Sequence, residues 1–146
     1  MLFSKSFDYA LRGILYLSLA SDTRKRIQVE EISRELSIPK HFLGKIMNKL
    51  VKKGVIDSTK GPFGGFSIND KTMDTSILVI LKTVDGIHPF NSCVLKMKRC
   101  NEAHPCALHE HISSLRNKFH ETMSKTTIAG LITENKANLL RSISVY

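Results

Sequence analysis

The sequence predicts a mainly α-helical chain interrupted by one small β-hairpin, and three observations predict it. Apolar residues recur at steps of three and four along most of the chain, the spacing of a buried helix face. A glycine-rich turn, Lys60-Gly61-Pro62-Phe63-Gly64-Gly65, separates two short runs that read as strands. The 146 residues are 42% hydrophobic and 24% charged, with 8 Gly and 4 Pro. Those are ordinary globular values, which exclude collagen-like and linker-type chains. The longest apolar-rich stretch, Ile14 to Ala20, is far shorter than the ~20 residues of a spanning helix, and the N-terminus has no cleavage-type pattern. A cytoplasmic protein is the expectation.

Residues 4–20 read as a first helix, capped by Ser4 or Ser6, with Phe7, Ala10, Leu11, Ile14 and Leu17 at helical spacing. It is apolar around most of its circumference and should be largely buried. A basic loop, Thr23–Arg26, leads to a short helix whose inner face is Val29, Ile32 and Leu36. Ser37-Ile38-Pro39 is a turn, with proline suited to a first helical turn. The third helix has Leu43, Ile46, Met47 and Leu50 inside, Lys45, Asn48, Lys49 and Lys52 outside, and Gly54 as its stop. Val55–Thr59 and Phe66–Ile68 read as the strands of the hairpin. A fourth helix runs from Ser76 to Asp85. Residues 91–106 lack periodicity and read as a loop. Leu108, Ile112, Leu115, Phe119 and Met123 then make a narrow stripe on a long helix, the sort that pairs with a second copy. Residues 126–133 suggest a short capped helix, and Lys136 onward a loosely held tail.

Two short helices joined by a tight turn, followed at once by a glycine-rich hairpin, make the winged helix-turn-helix order. Charge agrees with it. The net charge is +9, and Lys40–Lys60 holds six lysines against Asp57 alone. A solvated lysine face would look the same, but double-stranded DNA is the polyanion this order fits. Pro39, Lys40, His41, Phe42, Lys45 and Lys49 would face the major groove. Lys60 and Gly61, in the hairpin loop, would meet phosphates or the minor groove.

Cys93, Cys100 and Cys106 are the only cysteines, an odd number within fourteen residues. That is no disulfide framework in a cytosolic chain. Three thiolates on one loop can converge on an iron–sulfur cluster or on zinc with one further ligand, or they can form a thiol switch. His109, three residues past Cys106, lies one helical turn along; His104 precedes Pro105 and fits less well. Cys106 and His109 could also be a nucleophile and its base, but no phosphate loop, paired carboxylates or orienting third group accompanies them. No enzyme is expected.

Taken together, SKSFDYALRGILYLSLA, VEEISRELSIPKHFLGKIMNKLVKKGVI, the wing STKGPFGGFSI, CVLKMKRCNEAHPCALH and the closing TTIAGL resemble the Rrf2 family of bacterial winged-helix regulators over residues 3–133. That family includes the iron–sulfur regulator IscR, the nitric-oxide regulator NsrR and the cysteine-metabolism regulator CymR. The resemblance implies a homodimer, crossing through the helix with Ile112, Leu115, Phe119 and Met123, on a roughly palindromic operator. It implies that Cys93, Cys100 and Cys106 hold an iron–sulfur cluster of two or four irons. The remaining ligand would be His109, as in IscR-type members, or Asp8 of the other subunit, as in some nitric-oxide sensors. Cluster-free relatives imply an alternative, a response to thiol oxidation or to a partner protein. Three features depart from the commoner pattern: six residues between Cys93 and Cys100, Lys60 where an arginine often sits, and Gly44 where IscR-type members carry an acid. The expected organisation is a DNA-binding domain at 1–85, a cysteine-bearing sensor loop at 86–107, and a dimerisation helix and tail at 108–146.

Overall fold

The structure, a computed structural model, describes residues 3–86, 95 and 102–143. Six helices and one hairpin are defined among them. Helix α1 (Lys5–Ala20) is the centre, burying Phe7, Ala10, Gly13, Ile14, Leu15, Leu17 and Ser18. Of the two serines the sequence offers, Ser4 caps it, its hydroxyl accepting from the Phe7 N–H. Helices α2 (Val29–Leu36) and α3 (Lys40–Lys52) pack on it. The turn between them is held by Ser37, left-handed at φ 52°, and by the Ser33 hydroxyl donating to the Ile38 carbonyl at 2.6 Å. Gly13 lies where α1 crosses α3, and a Cβ there would stand 2.9 Å from the Met47 Sδ, so the buried methionine would have to shift.

Strands β1 (Asp57–Thr59) and β2 (Gly65–Ser67) pair antiparallel, with Ser58 opposite Phe66. β1 starts two residues later than the apolar run suggests. Val55 and Ile56 are both buried beneath the turn that ends α3, so they do not alternate as strand residues would. On its other edge β2 takes Ile27, which exchanges two backbone hydrogen bonds with Phe66 at 2.9 and 2.8 Å. This short rung ties the hairpin to the start of α2.

Helix α4 (Ile77–Asp85), capped by Ser76, packs on α1 and α3. Helix α5 (His109–Lys125) packs on α4, and helix α6 (Ile128–Ile143) returns to α1. The α4 start and the α5–α6 junction are stitched together. Ile77 N–H donates to the Thr126 carbonyl at 2.9 Å, and Ile128 N–H to the Thr75 carbonyl at 3.1 Å. The expected loose tail from Lys136 is corrected here: residues 136–143 continue α6, because Leu139 and Ile143 are buried in the core with Ile128. No helix among the described residues is long and apolar enough to cross a membrane.

Candidate nucleic-acid interface and sensor segment

Helix α3 divides cleanly into two faces. Leu43, Ile46, Met47 and Leu50 are buried, while Lys40, His41, Phe42, Lys45, Asn48 and Lys49 are exposed. Pro39 is exposed and stands just outside the helix as its N-cap residue, rather than inside the first turn. No acid occupies that first turn, so the free N–H groups and Lys40 leave a positive end toward solvent. Lys40 is not idle: its ammonium sits 2.5 Å from Glu30 on α2. That hydrogen bond holds the Glu30 carboxyl below the usual carboxylate range. Sequence reasoning had no signal for this pairing, which joins two helices across the turn. A Cβ on Gly44 would meet no atom of the described residues within 4 Å, so none of their packing requires glycine there.

Two hydrogen bonds hold the wing loop. The Gly64 N–H donates to the Gly61 carbonyl at 3.0 Å, and the Gln28 side-chain amide donates to the Pro62 carbonyl at 2.9 Å. A Cβ on Gly64 would stand 2.0 Å from the Thr59 carbonyl oxygen, so only glycine lets the loop close this tightly. Lys60, Gly61, Pro62 and Phe63 are all exposed on it.

Of the sensor residues, Cys93 and Cys100 lie outside the described residues. Cys106 is a half-buried free thiol, and its carbonyl accepts from the His109 N–H at 2.9 Å, the turn that starts α5. His104 is exposed. Asp8 lies in the first turn of α1, its carboxylate 3.5 Å from the Arg12 guanidinium of its own chain. Among the described residues no three His, Cys, Asp or Glu side chains are grouped for a metal ion.

The expected seam on α5 is split. Leu115 is 65% exposed and Ile112 half-buried, whereas Met123 is buried in the chain's own core. Phe119 packs partly against that core, its ring 5.8 Å from that of Phe3. Another unforeseen residue is Arg12. One guanidinium nitrogen donates to the Leu36 carbonyl at 2.6 Å and to the Ile143 carbonyl at 3.0 Å, joining the ends of α2 and α6.

A helix-turn-helix whose second helix shows a basic, largely exposed outer face, followed by a hairpin with a tightly closed loop, defines a winged-helix DNA-binding regulator. The comparisons with known proteins narrow the class. Residues 3–134 match the family model Rrf2, described as an iron-dependent transcriptional regulator. A protein of Aquifex aeolicus assigned as an HTH-type transcriptional regulator is 34% identical over 141 residues, 95% of this chain and 96% of its own length. The regulator NsrR of Geobacillus kaustophilus is 26% identical, over 90% of this chain and 89% of its own. Among solved structures, CymR of B. subtilis, a global cysteine regulator, superposes with a TM-score of 0.75 at 19% identity, covering 91% of this chain and 97% of that one. IscR of T. potens gives 0.69 at 14%, covering 90% and 85%. The chain belongs to the Rrf2 family of transcriptional regulators.

Proposed function

We propose that the chain is a cytoplasmic, homodimeric regulator whose operator affinity is set by an iron–sulfur cluster. It acts by binding rather than catalysis. Residues 1–85 read DNA, 86–107 carry the sensor and 108–146 hold two copies together. Pro39, Lys40, His41, Phe42, Lys45 and Lys49 face the major groove of a palindromic operator, and Lys60 and Gly61 meet its backbone. Cys93, Cys100 and Cys106 would hold the cluster, with His109 rather than Asp8 in the remaining position. A bound cluster supplies electron transfer at a potential tuned by its ligands and their hydrogen bonds.

The observation that carries the sensor reading is the turn from Cys106 to His109. Its 2.9 Å backbone bond keeps a half-buried thiol and an imidazole donor within one turn of each other at the base of α5. Asp8 lies on α1 instead, 3.5 Å from the Arg12 guanidinium of its own chain. A second reading, a cluster-free response to thiol oxidation, is favoured by the fold shared with the cysteine regulators. The CymR of Staphylococcus aureus, solved also in an oxidised form, has a TM-score of 0.69 to this chain.

The test is reconstitution with iron and sulfide in the absence of oxygen, followed by visible absorption. The wild type should turn brown. Cys93→Ala, Cys100→Ala and Cys106→Ala should each lose the colour with an unchanged unfolding transition, and His109→Ala should lose more of it than Asp8→Ala. A colourless wild type that binds DNA only before mild oxidation would refute the cluster and favour the thiol switch.

A further inference from the structure

The wing ends in a phenyl ring that its own chain leaves uncovered. Phe63 is 89% exposed, on a loop that Gly61, Gln28 and the tight Gly64 turn hold in place. Phe7 and Phe66 are buried, and Phe3 and Phe119 are half-buried; among the described phenylalanines only Phe42, on the outer face of α3, shares its exposure, at 61%. A ring on a loop fixed this way cannot fold back to cover itself, so its apolar surface is available to a partner.

The surroundings select that partner. Lys60 lies three residues away, at the end of a segment with six lysines and one acid. An apolar protein surface docking here would have to strip water from those ammonium groups. Duplex DNA neutralises them with phosphates, and between its phosphate rails it offers apolar sugar walls and base steps. The major groove, about 12 Å wide, admits a helix such as α3, whereas the minor groove, about 6 Å wide, admits a single ring.

We propose that Phe63 is an apolar wedge that enters the minor groove beside the half-site met by α3, packing on sugars and partly parting one base step, with Lys60 on the adjoining phosphate. This rests on the DNA-binding reading of α3 and the wing. Wedges of this kind favour steps that unstack easily, the pyrimidine–purine steps. Phe63 therefore contributes sequence preference at a position no hydrogen bond reads.

The experiment uses the full chain and a duplex that the wild type enriches from a randomised pool. Binding is followed by fluorescence anisotropy across a salt series for the wild type, Phe63→Ala, Phe63→Leu and Lys60→Ala. Phe63→Ala should weaken binding about tenfold per half-site, the loss from uncovering ~55 Å² of apolar surface, with the salt slope unchanged. Phe63→Leu, still apolar, should stay within about threefold of the wild type. Lys60→Ala should instead reduce the salt slope by about one. Re-selection with Phe63→Ala should lose the pyrimidine–purine preference under the wing. If Phe63→Ala binds and selects like the wild type, the wedge is refuted while the DNA reading stands. A changed salt slope for Phe63→Ala would make the ring a mere prop for Lys60 and also overturn the proposal. A wild type that enriches no duplex overturns the DNA reading itself.

Discussion

Replacing Arg12 with methionine should release the two helix ends that its guanidinium joins. The side chain is 12% exposed, and its two acceptors, the Leu36 and Ile143 carbonyls at 2.6 and 3.0 Å, stand at the C-terminal ends of α2 and α6. Carbonyls there lack partners within their helices, and the negative end of the dipole favours a cation. Methionine keeps much of the stem and its packing but donates nothing. Hydrogen bonds to a charged group contribute ~1.5–3 kcal/mol each, so their loss costs roughly 3–6 kcal/mol. Part of this is offset, because the Arg12 Nε is buried with no partner among the described residues. Removing that orphan donor returns ~1–3 kcal/mol. The half-exposed contact to Asp8 adds little. Taken at their midpoints, the two terms leave a net loss of about 2–3 kcal/mol, or roughly 4–12 °C in Tm for a chain of this size. Urea unfolding measures it, at one protein concentration because self-association shifts apparent stability. Truncation after residue 140 removes the Ile143 carbonyl, so the cost of Arg12→Met should fall by about half in the shortened chain. An equal cost in both chains, or a loss below ~0.5 kcal/mol in the full one, would refute the bridge.

Two further predictions concern exposed residues. Glu30→Gln removes the group that competes with phosphate for Lys40, so affinity for any duplex at low salt should rise about twofold; unchanged affinity would mean that Lys40 does not meet DNA. Because the hydrogen bond from Lys40 lowers the Glu30 pKa, the pair is intact above the ordinary carboxylate range and is lost as pH falls through the depressed value. The benefit of Glu30→Gln should therefore shrink in acid. Leu115→Asp should halve the mass measured by light scattering without moving the intramolecular core, since Leu115 is open to solvent within one chain. A dimer that survives it would rule out a seam through Leu115.

Much of the fold is legible in local sequence because the signals are local. Ser4 and Ser76 accept from the Phe7 and Val79 N–H groups three residues on, a pattern that needs no tertiary knowledge. The inner stripe of α3 and the glycines of the wing are equally local. What escapes is set by distant partners. Ile27 is a lone apolar residue after a basic loop, and only Phe66 makes it a strand rung. Ile128, Ile132, Leu139 and Ile143 do keep helical spacing, but the polar run Thr133–Lys136 between them hides it. The stripe on α5 is visible in the sequence, yet which of its members turn inward depends on Phe3, whose ring faces Phe119, and on α4 beneath the helix. Arg12 reads as an ordinary basic residue on an apolar helix; its partners are 24 and 131 residues away.

The stitch between the start of α4 and the α5–α6 junction also bears on how such a chain can evolve. With 17 residues against 9, α5 is ~12 Å longer than α4, and its position is pinned at Thr126, the end remote from the cysteines. The seating of α5 on α4 is therefore set at Thr126, not by the number of residues between Gly86 and Leu108. The length of that stretch, and with it the cysteine spacing, can therefore drift, as in the six-residue gap between Cys93 and Cys100, while α5 keeps its seat on α4. A sensing sequence of another length could be grafted into it by the same logic.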